Sequence, residues 1–346
     1  METWKSENMV ENLEVYTTVK KWLNKLQAKS RSVDFDKSST RRAGLYWLKQ
    51  YCKFLSIDPN RPSNPDSIIA ERMKQIQSPD LNIKRQHEEF VEAYVIHLKE
   101  QGKSPNTIST AVGLIRSFYK ASYGGLDQVA SVRPYTIRPF KIPTLKDIKK
   151  MCVIADAETK AWILTQFESG LGNTDLLDLT LANLSSEYGT IGQQLRKGTV
   201  PIHVEIRRQK TGERTHSFFG PNAISALKEY VNIKGLSSKI FKMQMRTVQQ
   251  RVKALGIKAK ISTQEVPVTP YVFRKAFNSF MKFGDPSKDI PGVNEAIVEL
   301  MMGHSIGRVR SAYLVTGQGS TGTGIPISKL AEIYMKTYPA IDITLV

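Results

Sequence analysis

Residues 267–313 read PVTPYVFRKAFNSFMKFGDPSKDIPGVNEAIVELMMGHSIGRVRSAY, and three clusters in that stretch carry the reading. The first, Tyr271-Val272-Phe273-Arg274, opens a helical segment just after Pro270. The second, Leu300-Met301-Met302-Gly303-His304, ends on a glycine and a histidine. The third is Tyr313, which follows His304 by 313 − 304 = 9 residues. An arginine brings a forked, permanent cation, a histidine brings a group that gives or takes a proton, and a tyrosine brings an oxygen nucleophile. Taken singly each has a bland reading: a structural tyrosine, a turn histidine, a solvated arginine. Their value lies in their order and spacing.

Upstream, His203-Val204-Glu205-Ile206-Arg207 alternates like a strand, and His216-Ser217-Phe218-Phe219 does the same. Lys210-Thr211-Gly212-Glu213 between them predicts a hairpin turn, with glycine where a left-handed residue is useful. Further upstream lie Ser169-Gly170-Leu171 and Asp175-Leu176-Leu177-Asp178-Leu179, with Asn173-Thr174-Asp175 expected to cap a helix carrying Leu176, Leu177 and Leu179. Residues 144–155 and 160–167 read as helices, as does the chain from Pro221 onward. The run Gly317 to Gly324 predicts a flexible break before a last helix over 328–338 with Leu330, Ile333, Tyr334 and Tyr338.

The first part of the chain reads as helices and little else. Ser38-Ser39-Thr40 precedes a stripe of Leu45, Leu48, Tyr51, Cys52 and Leu55 at helical spacing. Residues 86–99 carry Phe90, Val91, Tyr94, Val95 and Leu98, and Gly102 stops the run. Ser104 then caps a helix with Pro105 at its first position and Ile108, Val112, Ile115, Phe118 and Tyr119 on its apolar face. Thr40, Leu48 and Tyr51 align with Thr107, Ile115 and Phe118, a faint internal echo that two ordinary amphipathic helices also explain. From Tyr123 to Pro143 the composition shifts to Gly124-Gly125, Pro134, Pro139 and Pro143 among Arg133, Arg138 and Lys141, which predicts an extended basic linker. The domain plan is therefore a helical domain over 1–128, with room for an N-terminal arm within it, a linker over 129–143, and a second domain over 144–346 ending in the tail helix.

Bulk properties narrow the partners. The 346 residues suit about two domains at ~150 residues each, and 40% hydrophobic residues suffice for real cores. A net charge of +18 favours a polyanionic partner, whether DNA, RNA or an anionic membrane surface. No apolar run approaches the ~20 residues of a membrane span, and the start of the chain lacks the apolar core of a signal peptide. Cys52 and Cys152 stand far apart, and His87, His97, His203, His216 and His304 show no metal-ligand spacing. The expectations are a reducing, cytoplasmic, nucleoid-associated location, no membrane partner, no cofactor and no metal. Lys20-Lys21, Arg41-Arg42 and Lys149-Lys150 read as solvated faces, some of which meet a polyanion.

The C-terminal clusters, in their order, resemble the tyrosine recombinase (phage integrase) family: an arginine box opening a helix, a Leu-x-Gly-His box, and a tyrosine about nine residues later. Lys210-Thr211-Gly212 resembles that family's β-hairpin lysine, and Ser169-Gly170-Leu171 with Asp175 to Leu179 resembles its first catalytic box. Phe90 to Tyr119 is similar to its core-binding domain, and Leu330 to Pro339 resembles the tails of archaeal and archaeal-virus integrases within a Xer-like group. The resemblance implies a mainly α fold with a small antiparallel β-sheet, in which a helical core DNA-binding domain and a catalytic domain form a C-shaped DNA clamp. It implies double-stranded DNA as partner, a homo-tetramer on two DNA sites that is a monomer or dimer off DNA, and a last helix docked on a neighbouring protomer.

It also implies roles. Tyr313 would be the nucleophile that forms a 3′-phosphotyrosine, Arg274 the fork on two phosphate oxygens, and Lys210 the acid for the leaving oxygen. His304 would donate a hydrogen bond to the phosphoryl group or assist deprotonation of Tyr313. Tyr271 stands where the family usually has histidine or lysine. One departure matters: the family's first box reads Gly-Leu-Arg, and here Gly172 follows Gly170-Leu171. Loss of one such charge-stabilising donor typically costs ~10²–10³ in rate. Arg196, Arg207 and Arg208 are candidate substitutes, but Arg207 and Arg208 on a regular strand point to opposite faces, and the sequence favours a weakened or absent clamp. The readings that remain are an active recombinase (integration, excision or dimer resolution), a catalytically weakened DNA-binding relative, a topoisomerase IB-like relaxing activity, and a general basic nucleic-acid-binding protein.

Overall fold

The computed structural model describes residues 12–30, 34–127, 129, 133–134, 141–185, 187–208, 214–234, 239–263, 266–304 and 325–345. The chain divides into two compact units, Met1–Ile137 and Arg138–Val346, each with its own apolar core. Its architecture is mainly helical, with two small antiparallel sheets. No helix among the described residues is long and apolar enough to cross a membrane.

The first unit contains helices α1 (Thr17–Lys29), α2 (Ser39–Leu55), α3 (Pro65–Ile76), α4 (Leu81–Glu100) and α5 (Pro105–Ala121). Short polar side chains start most of them. Ser38 accepts from the Arg41 N–H, Asn64 from Ser67, Asp80 from Asn82 and Ser104 from Thr107, each satisfying an otherwise unpaired first-turn donor. The helix expected over 86–99 begins earlier, at Leu81. Leu81 and Ile83 are exposed, so the first turn lies outside the apolar stripe that marks the rest. The two helices with similar patterns, α2 and α5, pack on each other, and Leu48, Tyr51, Ile115 and Phe118 are all buried between neighbours.

A buried ion pair ties this unit together. Arg72 on α3 donates from Nη1 and Nη2 to both oxygens of Glu88 on α4, at 2.9 and 2.6 Å. The same guanidinium donates to the carbonyls of Lys84 and Gly125, and the Asp127 N–H donates to Glu88. Arg72 and Glu88 thus fasten the segment after α5 to two earlier helices.

The second unit contains α6 (Leu145–Ile154), α7 (Ala157–Ser169), α8 (Asn173–Leu177), β1 (Leu184–Ser185), β2 (Gly189–Thr190), α9 (Ile191–Lys197), β3 (Ile202–Arg207), β4 (Arg214–Phe219), α10 (Pro221–Lys234), α11 (Met245–Lys258), α12 (Tyr271–Phe283), α13 (Glu295–Met301) and α14 (Ile327–Thr337). Helix α7 is the centre: it packs against α6, α10, α11, α12 and β4, and most of its side chains are buried. Strands β3 and β4 pair antiparallel from Ile202↔Phe219 to Arg207↔Arg214. The turn joining them, Lys210 included, lies outside the described residues, and so do Tyr313 and the Gly317–Gly324 run.

The small antiparallel sheet expected is β3–β4, and a second, the short β1–β2 pair with register Leu184↔Thr190, accompanies it. One expectation needs correction. Helix α8 is capped not by Asn173 but by Gly172, without a side-chain hydrogen bond. Asn173 is already the first helical residue, and its side chain meets Gln166 instead. The tail helix is seated on its own unit. Leu330 and Tyr334 are buried, the Tyr334 hydroxyl donates to the Glu168 carbonyl at 3.1 Å, and the Tyr338 hydroxyl donates to the Glu168 carboxyl at 2.9 Å. Burial pushes that carboxyl up to about 7, against the hydrogen bonds from Ala223 and Tyr338 that favour its charged form.

The Arg72–Glu88 pair makes a stability prediction. Arg72→Ala strands a carboxylate and two carbonyls in the interior, and should lower the unfolding free energy by about 3–5 kcal/mol in urea titration. Adding Glu88→Leu should recover part of that loss, because the stranded charge goes with it. A loss below about 1 kcal/mol, the scale of an exposed pair, would show that the pair does not hold the unit together.

Candidate active site

Arg274 stands one turn into α12, and its side chain is only 3% exposed. Three groups from distant parts of the chain receive its donors. Nη1 donates to the Gly170 carbonyl, and Nη2 donates to the Met302 carbonyl at 2.8 Å and to His304 Nε2 at 2.8 Å. The first box, the arginine box and the Gly-His box therefore meet at one guanidinium.

The local chain explains why each partner is there. Gly170 ends α7 at φ 62°, the left-handed conformation that glycine adopts without strain. A Cβ at Gly170 would stand 2.3 Å from the Phe277 ring, so space and backbone both require glycine. Gly303 ends α13 at φ 69°. Its N–H donates to the Leu300 carbonyl and that of His304 donates to Glu299, the double bond pattern of a Schellman helix end. That turn leaves the Met302 and Gly303 carbonyls free to accept from arginines at the electronegative end of the helix.

Arg208, one residue beyond β3, supplies the second guanidinium. Its Nη1 donates to the Gly303 carbonyl at 2.6 Å, and its Nε donates to Asp175 Oδ2 on α8 at 3.2 Å. A Cβ at Gly303 would lie 2.5 Å from Arg208 Cδ and 2.1 Å from Thr215 Oγ1, so this glycine also makes room for the arginine. Burial and, next, the charge of Arg208 push Arg274 down to about 10, which leaves it a cation at neutral pH.

His304 has a defined tautomer in this arrangement. A guanidinium only donates, so Nε2 accepts from Arg274 and carries no proton. The proton is on Nδ1, which faces the Glu299 carboxylate. The imidazole is thus fixed from both sides and set to take a proton at Nε2 rather than give one.

The other sequence candidates separate clearly. Tyr271 opens α12 one turn before Arg274, is half exposed, and has Lys275 Nζ 5.3 Å from its ring centroid. Arg207 is exposed at the end of β3, and Arg196 is exposed on α9; only Arg208 of the three reaches the cluster. Sequence reading missed Glu299 and Asp175 as supporting groups. Glu299 was legible only through the helix end, because the Gly303 turn returns the chain onto the residue five before His304. The backbone carbonyls of Gly170, Met302 and Gly303 leave no side-chain signal at all.

No family model matches this chain. It is 24% identical over 273 residues to "Putative tyrosine recombinase TTE1313" of Caldanaerobacter subterraneus subsp. tengcongensis, a match covering 71% of this chain and 80% of that protein. Among solved structures it is similar to XerA recombinase (TM-score 0.36, 17% identity, 93% of this chain and 98% of the other). It is also similar to a lambda integrase dimer bound to a COC' core site (TM-score 0.48, 14% identity, 78% and 76%). A third is XerH site-specific recombinase bound to its difH substrate (TM-score 0.48, 13% identity, 84% and 74%).

The tautomer of His304 is directly measurable. In nitrogen-15 spectra assigned by comparison with His304→Gln, Nδ1 should resonate as a protonated nitrogen and Nε2 as an unprotonated acceptor. Glu299→Leu should shift population towards the other tautomer. A protonated Nε2 in the parent chain at neutral pH would contradict the bond to Arg274.

Proposed function

We propose that this chain, taken as the member of the tyrosine recombinase/integrase family that its motifs and its curated relative support, is a site-specific DNA recombinase that cuts and rejoins duplex DNA through a 3′-phosphotyrosine intermediate. The observation that carries this reading is the convergence of three separated motifs on Arg274, beside His304 and a second arginine. Two guanidiniums brought together by backbone carbonyls, Asp175 and His304 present cationic forks in one place that suit a phosphate.

Cleavage of a phosphodiester needs a nucleophile, charge on the non-bridging oxygens, and a proton for the leaving oxygen. Tyr313 attacks phosphorus, a P–O bond to tyrosine forms, and the P–O5′ bond breaks. Arg274 stabilises the charge that grows on the non-bridging oxygens in the transition state. Lys210 supplies the proton to O5′, and His304 Nε2 takes the proton of Tyr313 once the Arg274 N–H that it accepts from turns to the phosphate. The bond energy stays in the phosphotyrosine, so attack by a 5′-hydroxyl reverses every transfer and religates the strand. With a net charge of +18, phosphate contacts supply much of the affinity and make it fall with salt. A homo-tetramer on two DNA sites, exchanging strands in turn, completes the proposal.

A second reading, a DNA-binding relative without catalysis, is favoured by one observation: Gly172 replaces the arginine of the resembled box. Tyr313→Phe separates the two. The parent should form a covalent adduct linked to the 3′ end on a duplex it binds, and the Phe variant should bind as tightly and form none. A parent that binds without any adduct would place the chain with the inactive relatives; an adduct that persists in the Phe variant would take the nucleophile away from Tyr313. Tyr334 on the tail helix is fully buried and unavailable for attack.

The role of Lys210 has its own test. Lys210→Ala should slow cleavage of a normal phosphodiester far more than cleavage of a 5′-bridging phosphorothiolate, because sulfur leaves without needing a proton. Equal losses on both substrates would reduce Lys210 to phosphate binding.

A further inference from the structure

We infer that Arg208 is the second phosphate-binding arginine of this site, reaching from the end of β3 into the space that a side chain at Gly172 would otherwise take. The inference rests on the phosphodiester reading of the site and names a residue that reading leaves open.

Four observations carry it. The first is position. A Cβ built at Gly172 would lie 3.8 Å from Arg208 Nη2, so the guanidinium occupies the region into which a longer side chain at 172 would extend. The second is the reason for the glycine. Gly172 has φ −70° and ψ 152°, which any residue adopts, so backbone freedom does not require glycine there. Space disfavours a side chain there: the same Cβ would stand 2.7 Å from Asp175 Oδ2, the atom that holds Arg208 Nε at 3.2 Å, so that carboxylate would have to move. Any side chain at 172 pushes away the carboxylate that aims Arg208. Gly172 and Arg208 are therefore one arrangement, with the cation supplied from the strand end and the first box kept bare to admit it.

The third observation is the state of the donors. Arg208 uses Nε on Asp175 and Nη1 on the Gly303 carbonyl, while Nη2 makes no hydrogen bond among the described residues. Both N–H groups of Nη2 remain for a ligand, on a side chain that is only 13% exposed. The fourth is charge. Arg208 and Arg274 sit close enough for each to act on the other, with Asp175 and Glu299 acting on Arg274 in the opposite sense; Asp175 bonds Arg208 and Glu299 bonds His304, and neither carboxylate is hydrogen-bonded to Arg274 among the described residues. Two partly desolvated cations, neither with both faces of its fork paired to a carboxylate, leave donors that an entering anion satisfies. A non-bridging phosphate oxygen, gaining charge in the transition state, is such an anion. Arg196 and Arg207, both exposed, offer no comparable placement.

The test uses the full chain on a duplex selected by binding from a randomised pool, with adduct formation as readout. Arg208→Ala should cut the rate of adduct formation by about 10²–10³ and change DNA affinity far less. Gly172→Arg alone should also be slower than the parent, because it displaces Asp175 and crowds a third guanidinium into the site. The double variant, Gly172→Arg with Arg208→Ala, should exceed Arg208→Ala in rate. A purely structural role is separated by a methylphosphonate at the scissile position, which removes the negative non-bridging oxygen. There the gap between parent and Arg208→Ala should shrink by at least tenfold, whereas a distorted site loses equally on both substrates. If Arg208→Ala melts below the assay temperature, the same substrate comparison is read on Arg208→Lys, which keeps the charge but not the fork. A parent that forms adduct while Arg208→Ala matches its rate, or an unchanged gap on the methylphosphonate, overturns this inference alone. A parent that binds DNA and never forms an adduct overturns the recombinase reading, and this inference with it.

Discussion

The burial of the Arg274 guanidinium is the constraint on which the site depends. A cation taken almost wholly out of water costs several kcal/mol unless its donors are met, and here two backbone carbonyls and one imidazole meet three of the five. Those acceptors come from the end of α7 and the end of α13, so placing the charge requires both helix ends to be correctly formed. Gly170 and Gly303 turn the chain at those ends, and in each case a methyl group would collide with a neighbour. The chemistry of one side chain thus reaches back into the backbone geometry of two helices that share no sequence neighbourhood with it.

The same economy governs the rest of the second unit. The β3–β4 pair lies against α7 and α13, which lets a residue just past β3 reach the Gly303 carbonyl. Asp175 on α8 fixes that residue from the other side. The tail helix and the turn after it meet the same end of α7 through Tyr334 and Tyr338, both bonded to Glu168. Helix α7 is consequently buried on nearly every face, and its sequence shows no clean polar stripe for that reason.

Much of this was legible in the sequence where a local rule governs. Ser38 and Ser104 start helices because a hydroxyl before an apolar stripe satisfies a first-turn N–H. Strands β3 and β4 announce themselves through alternation. The rule failed at Asn173, where a good capping residue is drawn into the helix and bonds Gln166 instead. It was silent for β1 and β2, since two-residue strands have no period to read. Arg274 and His304 could be named from motif order, but the acceptors that orient them are carbonyls and carry no residue signature. Arg208 illustrates the limit most clearly. Strand alternation gave Arg207 and Arg208 opposite directions, yet which direction faces Arg274 depends on α8 and α13, elements 33 and 95 residues away in the chain.

The central claim is that these converged motifs break DNA by attack from Tyr313, and one measurement addresses it without altering the protein. The trapped DNA adduct of the parent chain, digested with trypsin and nuclease, should carry its nucleotide on the peptide Ser311–Lys329, whose one tyrosine is Tyr313, with the phosphate joined to a 3′-oxygen. Fragment spectra that place the phosphate on another peptide, or that join it to a 5′-oxygen, would contradict the account.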